Sequence, residues 1–303
     1  MSATVSVIVP TYAHRDFVLE TLNSVLEQTY KDCELIVVND GSPDDTADVL
    51  QRFIEEGRTR YVAQANAGQA AARNTGIGLA RGKYIALLDD DDLWPPDRLA
   101  WMVEALEADP TAVVAYGQFE AFGREHFTFP GATAPEGNVL DAFVDAGWIR
   151  SPGQTLIRAD ALRQAGGLDE RIWGTDDWDL WLGLARLGTF RYRPRVALRY
   201  RIHAKNASRN FVRMYKNGMR VVEKHFGSAC GPTERLRRRR ASRFVRLFTS
   251  GDGLSEAQRC ANGDRRCAAL VALGRAIMIR PQMLRDRSVL RLMAGVIWRC
   301  TGL

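Results

Sequence analysis

The chain has 303 residues, 46% of them hydrophobic, which is ordinary globular composition; that length is long for one compact core and short for two large ones, so one main domain with an appendage is expected. Its formal charge of +6 is unevenly spread: residues 206–303 hold 21 Lys and Arg against 6 Asp and Glu, whereas 1–205 hold 21 against 30. No run of about 18 apolar residues offers a membrane span, the opening MSATVSVIVPTY has no leader pattern, and five scattered cysteines without a CxxC pair or His/Cys cluster argue against zinc and against a disulfide framework.

Taken in chain order, TVSVIVP (4–10) is a short β-branched strand, and Val18, Leu22, Val25 and Leu26 within 14–29 fall at helical spacing. ELIVVND (34–40) is a second buried-strand pattern. A Gly-Ser-Pro turn follows, and then a helix capped by Asp44 or Asp45 with Val49, Leu50, Phe53 and Ile54 as its apolar stripe. RYVAQ (60–64) is a weak strand, 68–80 an Ala-rich helix, and KYIALL (83–88) a strong strand. A helix opening on Pro95 and Pro96 ends before Pro110, and 113–122 alternates as a strand. Residues 123–150 read as loop, the segment around WGTDDWDLWLGLARLG as an amphipathic helix ending at Gly188, and 196–203 as a further strand. Beyond about 210 the pattern is helical and arginine-rich. Strands alternating with helices mean βαβ units and a parallel sheet, whose ligands bind beyond the carboxyl ends of the strands. Thr11-Tyr12, Asn39-Asp40 and Asp89 to Asp92 all lie at such ends.

The four aspartates of LLDDDDLW repel one another. They form either a solvated acidic turn or a place for a cation. Carboxylate oxygens are hard ligands suited to Mg²⁺ or Mn²⁺, and Mg²⁺ characteristically takes one or two of them together with phosphate oxygens. The longer DxDxDG loop and later glutamate of a calcium EF-hand are absent. GIGLARG (76–82) lacks GxGxxG spacing and precedes its strand, so it does not read as a dinucleotide site.

The stretches VSVIVPTYAHRDFVLETLNSVLEQTY, ELIVVNDGSPDDT, AARNTGIGLARGKYIALLDDDDLW, GGLDE, TDDWDLWLGLA and YRIHAKNAS, in that order over residues 4–208, resemble a family 2 glycosyltransferase. The resemblance implies an α/β GT-A fold, a Rossmann-like mostly parallel sheet flanked by helices, with a basic helical appendage at the C-terminus. Residues 1–208 would be the catalytic domain, divided near 95 into a nucleotide-sugar half and an acceptor half, and 209–303 the appendage. It implies that Pro10, Thr11 and Tyr12 line the base and ribose pocket, that Asp40 bonds the uracil ring, and that Arg73 approaches the nucleotide. Asp89 and Asp91 match the outer members of a D-x-D motif, Asp89 near the ribose and Asp91 on the metal, Mg²⁺ or Mn²⁺. Asp92 would bind the donor sugar or act from behind the ligands. Asp177 matches the catalytic base, Asp176 stands beside it where Glu is common, and His203 matches a histidine that meets the metal or the diphosphate.

Elementary chemistry agrees with these roles. A nucleotide diphosphate leaves once its developing charge is neutralised, and one carboxylate suffices to take the proton from an attacking sugar hydroxyl. That division of labour is an inverting displacement. Each residue has a plainer reading as well: Asp176, Asp177 and Asp179 stabilise a helix N-terminus without catalysis, His203 can be a strand-end histidine, Arg73 a surface residue, and Trp178 and Trp181 core or acceptor wall. Asp90 is expected to point away from the ligands. Gly183 stands where an Arg is common, and the Q-x-x-R-W motif of polymerising members is missing, which favours transfer of one sugar. The acceptor contacts are expected in 123–150 and in Ser151 to Leu156, where no motif is decodable.

In the tail, Arg237 to Arg240, Arg243 and Arg246 interleave with Phe244, Val245, Leu247 and Phe248, and Leu290, Met293, Val296 and Ile297 recur at helical spacing. Such helices suit an anionic membrane surface, or pack on the catalytic domain with solvated arginines. No motif that reads nucleic acid is present, and none is expected as partner. The expected protein is therefore a transferase acting from a nucleotide-sugar donor, UDP-linked, on a glycan or lipid-linked acceptor. It would be cytoplasmic and peripheral on the inner face of the cell membrane. The alternative is a non-catalytic nucleotide-sugar and metal-binding module docked by the tail.

Overall fold

The computed structural model describes residues 3–123, 126–203, 210–228, 230–263 and 265–301. The expected domain boundary at 208 lies outside them. The chain divides into two compact units, one of Met1–Arg171 with Asp176–Lys205, the other of Ile172–Thr175 with Asn206–Leu303.

The first unit is built on a mixed sheet in the order β3-β2-β1-β4-β7-β5-β6, with β8 beside β5. Strands β1 (Val5–Thr11), β2 (Cys33–Asn39), β3 (Arg60–Ala63) and β4 (Tyr84–Leu87) run parallel. Every residue of β1 and β4 is buried, as expected of parallel strands covered on both faces. Helices α1 (Arg15–Leu26), α2 (Thr46–Glu55) and α3 (Gln69–Leu79) make the crossovers. The small residues of α3 let it lie close on β1: a Cβ on Gly76 would fall 2.3 Å from Ile8 Cγ2. The register sets Thr11 opposite Asn39 and Ile8 opposite Leu87, so the polar groups after β1, β2 and β4 emerge along one edge.

After α4 (Arg98–Glu107) come β5 (Ala112–Gly123), β6 (Phe127–Phe129), α5 (Leu140–Asp145), a 3-10 turn at Pro152–Gln154, β7 (Thr155–Arg158), α6 (Ala159–Gln164), α7 (Asp176–Leu184) and β8 (Thr189–Ile202). β7 inserts antiparallel between β4 and β5; its four residues are too few to announce a period in sequence. β8 begins seven residues earlier than its pattern suggests. Phe190 and Tyr192 are already inward-facing, and Pro194 is absorbed where the register against β5 shifts. Helix α7 stops at Leu184, not Gly188. Gly188 lies so close to β5 that a Cβ there would sit 2.5 Å from Val113 Cγ1.

Residues 151–156 are buried, contrary to the expected acceptor contact. Ser151 and Gln154 close a capping box, and the Gln154 amide donates to Gly117 O at 2.9 Å. Arg98, wholly buried, stacks 3.8 Å over the Trp94 ring and donates to the carbonyls of Gly153 and Thr155. It has no ion pair among the described residues, so aromatic face and carbonyls alone compensate its charge. Arg98→Ala is expected to lower stability by about 3 kcal/mol or more, from the cavity and the orphaned carbonyls, read as an earlier urea midpoint at unchanged slope.

In the second unit, α8 (Phe211–Phe226), α9 (Pro232–Asn262), α10 (Arg266–Ile279) and α11 (Arg287–Thr301) surround a small core containing Phe211, Ala257, Leu273, Ala276, Ile279, Met283 and Val289. No helix among the described residues is long and apolar enough to cross a membrane.

Candidate active site

The site grows from the edge where β1, β2 and β4 end. After Thr11 the chain turns through a left-handed residue, Ala13 at φ 55°, an uncommon conformation for a residue with a Cβ. The turn is held by Tyr12 N donating to Asp90 Oδ2 (3.2 Å) and Ala13 N donating to Ser42 Oγ (3.1 Å). It delivers His14 to the acidic cluster, with Nδ1 2.8 Å from Asp90 Oδ1. Pro10 and Thr11 are buried and Tyr12 is 46% exposed, so of the three expected pocket residues only the tyrosine ring stands open to solvent. The Thr11 hydroxyl is buried without a hydrogen-bond partner among the described residues.

Asp40, expected to bond the base, already accepts three hydrogen bonds: Gln64 Nε2 (2.8 Å) and Ala67 N (2.9 Å) on Oδ1, and Gly68 N (2.8 Å) on Oδ2. It anchors the loop that leads into α3 and keeps lone-pair capacity only on Oδ2.

The four aspartates part company. Asp89 is the most exposed side chain of the group and accepts from Gln69 Nε2 at 3.0 Å and from Arg73. Asp90 is not solvated: it is 6% exposed and satisfied by Tyr12 N and His14. The reason is the tight turn of Thr11 to His14, whose donors face it. Asp91 Oδ2 lies 2.8 Å from His203 Nε2. Burial, then the charges of Asp89 and Asp90, push its carboxyl up to about 6. Asp92 is wholly buried; Oδ1 accepts from Arg201 N (2.9 Å) and its carbonyl from Thr21 Oγ1 (2.8 Å). Burial raises its pKa well above the usual range. It therefore fastens the turn to β8 and so sets His203 opposite Asp91, while its Oδ2 is buried with no hydrogen-bond partner among the described residues.

Arg73 is not a surface residue. Buried to 2% exposure, it donates through Nη1 to Asp176 Oδ2 (3.0 Å) and through Nη2 to Asp89. One guanidinium thus ties Asp89, after β4, to Asp176 at the start of α7, the latter 103 residues from Arg73 itself. Asp177 follows Asp176 and is half-buried, with Oδ1 accepting from its neighbour Trp178 N at 2.7 Å. Burial and the adjacent Asp176 charge raise its pKa to about 8. Trp178 and Trp181 are core; the Trp178 indole donates to Phe143 O at 2.9 Å.

A family model, described as glycosyl transferase family 2, matches residues 6–165. The chain belongs to glycosyl transferase family 2. A relative in this family, "Putative teichuronic acid biosynthesis glycosyltransferase TuaG" of Bacillus subtilis, is 35% identical over 163 residues, covering 52% of this chain and 57% of that protein. In several longer curated glycosyltransferases of Rickettsia the match spans only 26% to 35% of their length. Among solved structures, S. aureus TarS 1–349 in complex with UDP-GlcNAc superposes with TM-score 0.67 at 15% identity, over 97% of this chain and 88% of that one. Mannosyltransferase PcManGT from Pyrobaculum calidifontis in complex with GDP-Man and Mn²⁺ does so with TM-score 0.58 at 21% identity, over 98% and 87%. These likenesses establish the GT-A fold of this family 2 chain.

His14 and Arg201 are site residues that sequence reasoning missed. His14 stands in the YAHRD stretch shared with family 2, but only the turn at Ala13 reveals that it meets Asp90. Its ring packs edge-on to His203, centroids 5.8 Å apart. Arg201 donates through Nε to Asp91 O (2.9 Å) and packs over Phe17. The alternation of β8 pointed to a strand, with no sign that its main chain holds the acidic turn.

Proposed function

We propose that this chain is a metal-dependent inverting glycosyltransferase. It takes a nucleotide-sugar, UDP-linked, and transfers one sugar to a hydroxyl of a glycan or lipid-linked glycan in cell-surface polysaccharide synthesis. The observation that carries the reading is the Asp89–Arg73–Asp176 link. It supports the reading because it links the acidic turn to Asp176, the chain neighbour of Asp177, whose carboxyl is pushed up to about 8 by burial and the Asp176 charge.

The residues present fit a divalent cation. Asp91 offers a hard oxygen and His203 an imidazole nitrogen 2.8 Å away, a proton-sharing contact that a cation can replace. No group of three or more His, Cys, Asp or Glu that could hold a metal occurs among the described residues. One or two carboxylates with the rest from phosphates and water is the usual Mg²⁺ arrangement, and His203 would add a nitrogen ligand to it. When bound, the ion supplies charge neutralisation of the leaving diphosphate. Asp92 and Arg201 keep His203 opposite Asp91. Tyr12 walls the base, and the Oδ2 lone pair of Asp40 is free for a ring N–H. Arg73 holds Asp89 toward the nucleotide and Asp176 beside Asp177, which takes the proton from the acceptor hydroxyl. The donors named for the neighbours, UDP-GlcNAc and GDP-Man, and the Mn²⁺ of one of them support a nucleotide-sugar and a metal. The arginine-rich unit, with exposed Leu236, Leu247 and Phe248 on α9, favours attachment to an anionic membrane.

The test is a panel of nucleotide-sugars with Mn²⁺ or Mg²⁺ and membrane extract as acceptor, read as released nucleoside diphosphate. Release with a UDP-sugar that stops on chelation is expected. Tight metal–UDP binding with no release from any donor would instead favour the binding module.

A further inference from the structure

The second unit holds an open, solvent-facing cavity of about 580 Å³. Its lining is Arg238, Arg239, Ser242, Arg243, Arg246 and Leu247 of α9 with Arg280 and Gln282, the latter two entering from the turn after α10. Five arginines therefore line the space, and among the described residues no carboxylate does. Two of them are braced from outside: Arg238 pairs with Glu223 at 2.7 Å, and Arg246 donates to Ile279 O at 3.1 Å. Arg239 and Arg243 make no ion pair among the described residues, so their forks are available to a ligand. Like charges one helical turn apart destabilise a helix, a cost that a bound anion removes. The guanidinium fork pairs with two oxygens of a carboxylate or of a phosphate, and several forks in one place suit the larger number of oxygens and the higher charge of a phosphate.

The rim narrows the source. Leu236, Arg239, Arg243 and Leu247 follow one another at spacings of 3, 4 and 4, one stripe of α9, and both leucines are exposed. Leu284, two residues past Gln282, is exposed as well. Arginines backed by exposed leucines match a phosphate carried on an acyl or prenyl chain.

We propose that this cavity is a phosphate-binding site that takes the phosphate or diphosphate headgroup of a membrane lipid. The lipid source rests on the membrane reading above; the phosphate chemistry does not. Leu236 and Leu284 enter the apolar boundary while Arg239 and Arg243 chelate the headgroup oxygens.

The test uses the full chain, its R239Q/R243Q variant, and R275Q/R291Q, which removes the same charge from exposed arginines that do not line the cavity. Flotation with phosphatidylcholine vesicles, with and without phosphatidic acid, reads the lipid arm. Calorimetric titration with inorganic pyrophosphate reads the soluble arm. Expected is flotation only with phosphatidic acid and competition by pyrophosphate. Both should weaken roughly tenfold or more in R239Q/R243Q and less than about threefold in R275Q/R291Q. Should R239Q/R243Q melt early, single R239Q is read in its place. Equal losses in the two double variants would mean diffuse charge and overturn the site. Unchanged flotation of R239Q/R243Q overturns it too, while leaving membrane attachment through other residues. Saturable pyrophosphate binding without any flotation overturns the lipid source.

Discussion

Asp177→Asn is expected to lower turnover roughly 10²–10⁴-fold, the usual worth of a general base, with UDP binding unchanged in calorimetry. The substitution is nearly isosteric and keeps the oxygen that accepts from Trp178 N. It removes only the ability to take a proton. The raised pKa makes two further outcomes specific. A base works ionised, so kcat/KM of the wild type should climb about tenfold per pH unit below its limb and level off above about 8. Stability runs the other way. The folded protein holds the Asp177 proton up to about 8, whereas an ordinary carboxyl near 3.8 loses it much earlier. Folding is therefore favoured at low pH and penalised increasingly as pH rises between those values. Asp177→Asn removes the penalty and should melt higher than wild type at pH 9, with the gain vanishing near pH 4. Full transfer activity in Asp177→Asn, or no pH-dependent gain in its melting temperature, would remove the base assignment.

Asp91→Asn is expected to cost roughly 10²–10³ in kcat/KM, the several kcal/mol that cation stabilisation of a leaving group is worth. It should also weaken the metal dependence of UDP binding, because His203 loses its carboxylate partner at the same time. The contrast with Asp90 separates ligand from scaffold. Asp90 accepts from Tyr12 N and meets His14, so Asp90→Ala removes a part-buried acceptor that holds the turn and should cost about 1–3 kcal/mol of stability. Asp90→Asn keeps an acceptor and should retain most metal-dependent UDP binding. If Asp90→Asn abolishes that dependence while Asp91→Asn spares it, the metal assignment is exchanged between them.

Much of the first unit is legible in the chain itself. The runs 4–10, 34–40 and 83–88 are apolar without alternation because parallel strands are covered on both faces, and the helices between them show their stripes. β7 and the early start of β8 are illegible for a common reason. Four residues carry no period, and Pro194 signals a break that pairing with β5 absorbs. Ser151 to Leu156 carries no decodable motif, and only the Arg98–Trp94 stack and the Gln154 hydrogen bond show that it is buried and not an open acceptor loop.

The amino-acid sequence by itself determined the family, the parallel βαβ half and the identity of the acidic cluster, since those depend on local periodicity and on residues adjacent in the chain. Only the tertiary structure decided what each aspartate does. Asp89 meets Arg73, Asp90 meets His14, Asp91 meets His203 and Asp92 meets Arg201 N. The partners come from three separate stretches, around Arg73, at His14 and at the end of β8, as far as 112 residues away for Asp91 and His203. Carboxylates of identical chemistry are told apart by burial and by which donor faces them, and both are properties of packing across the chain.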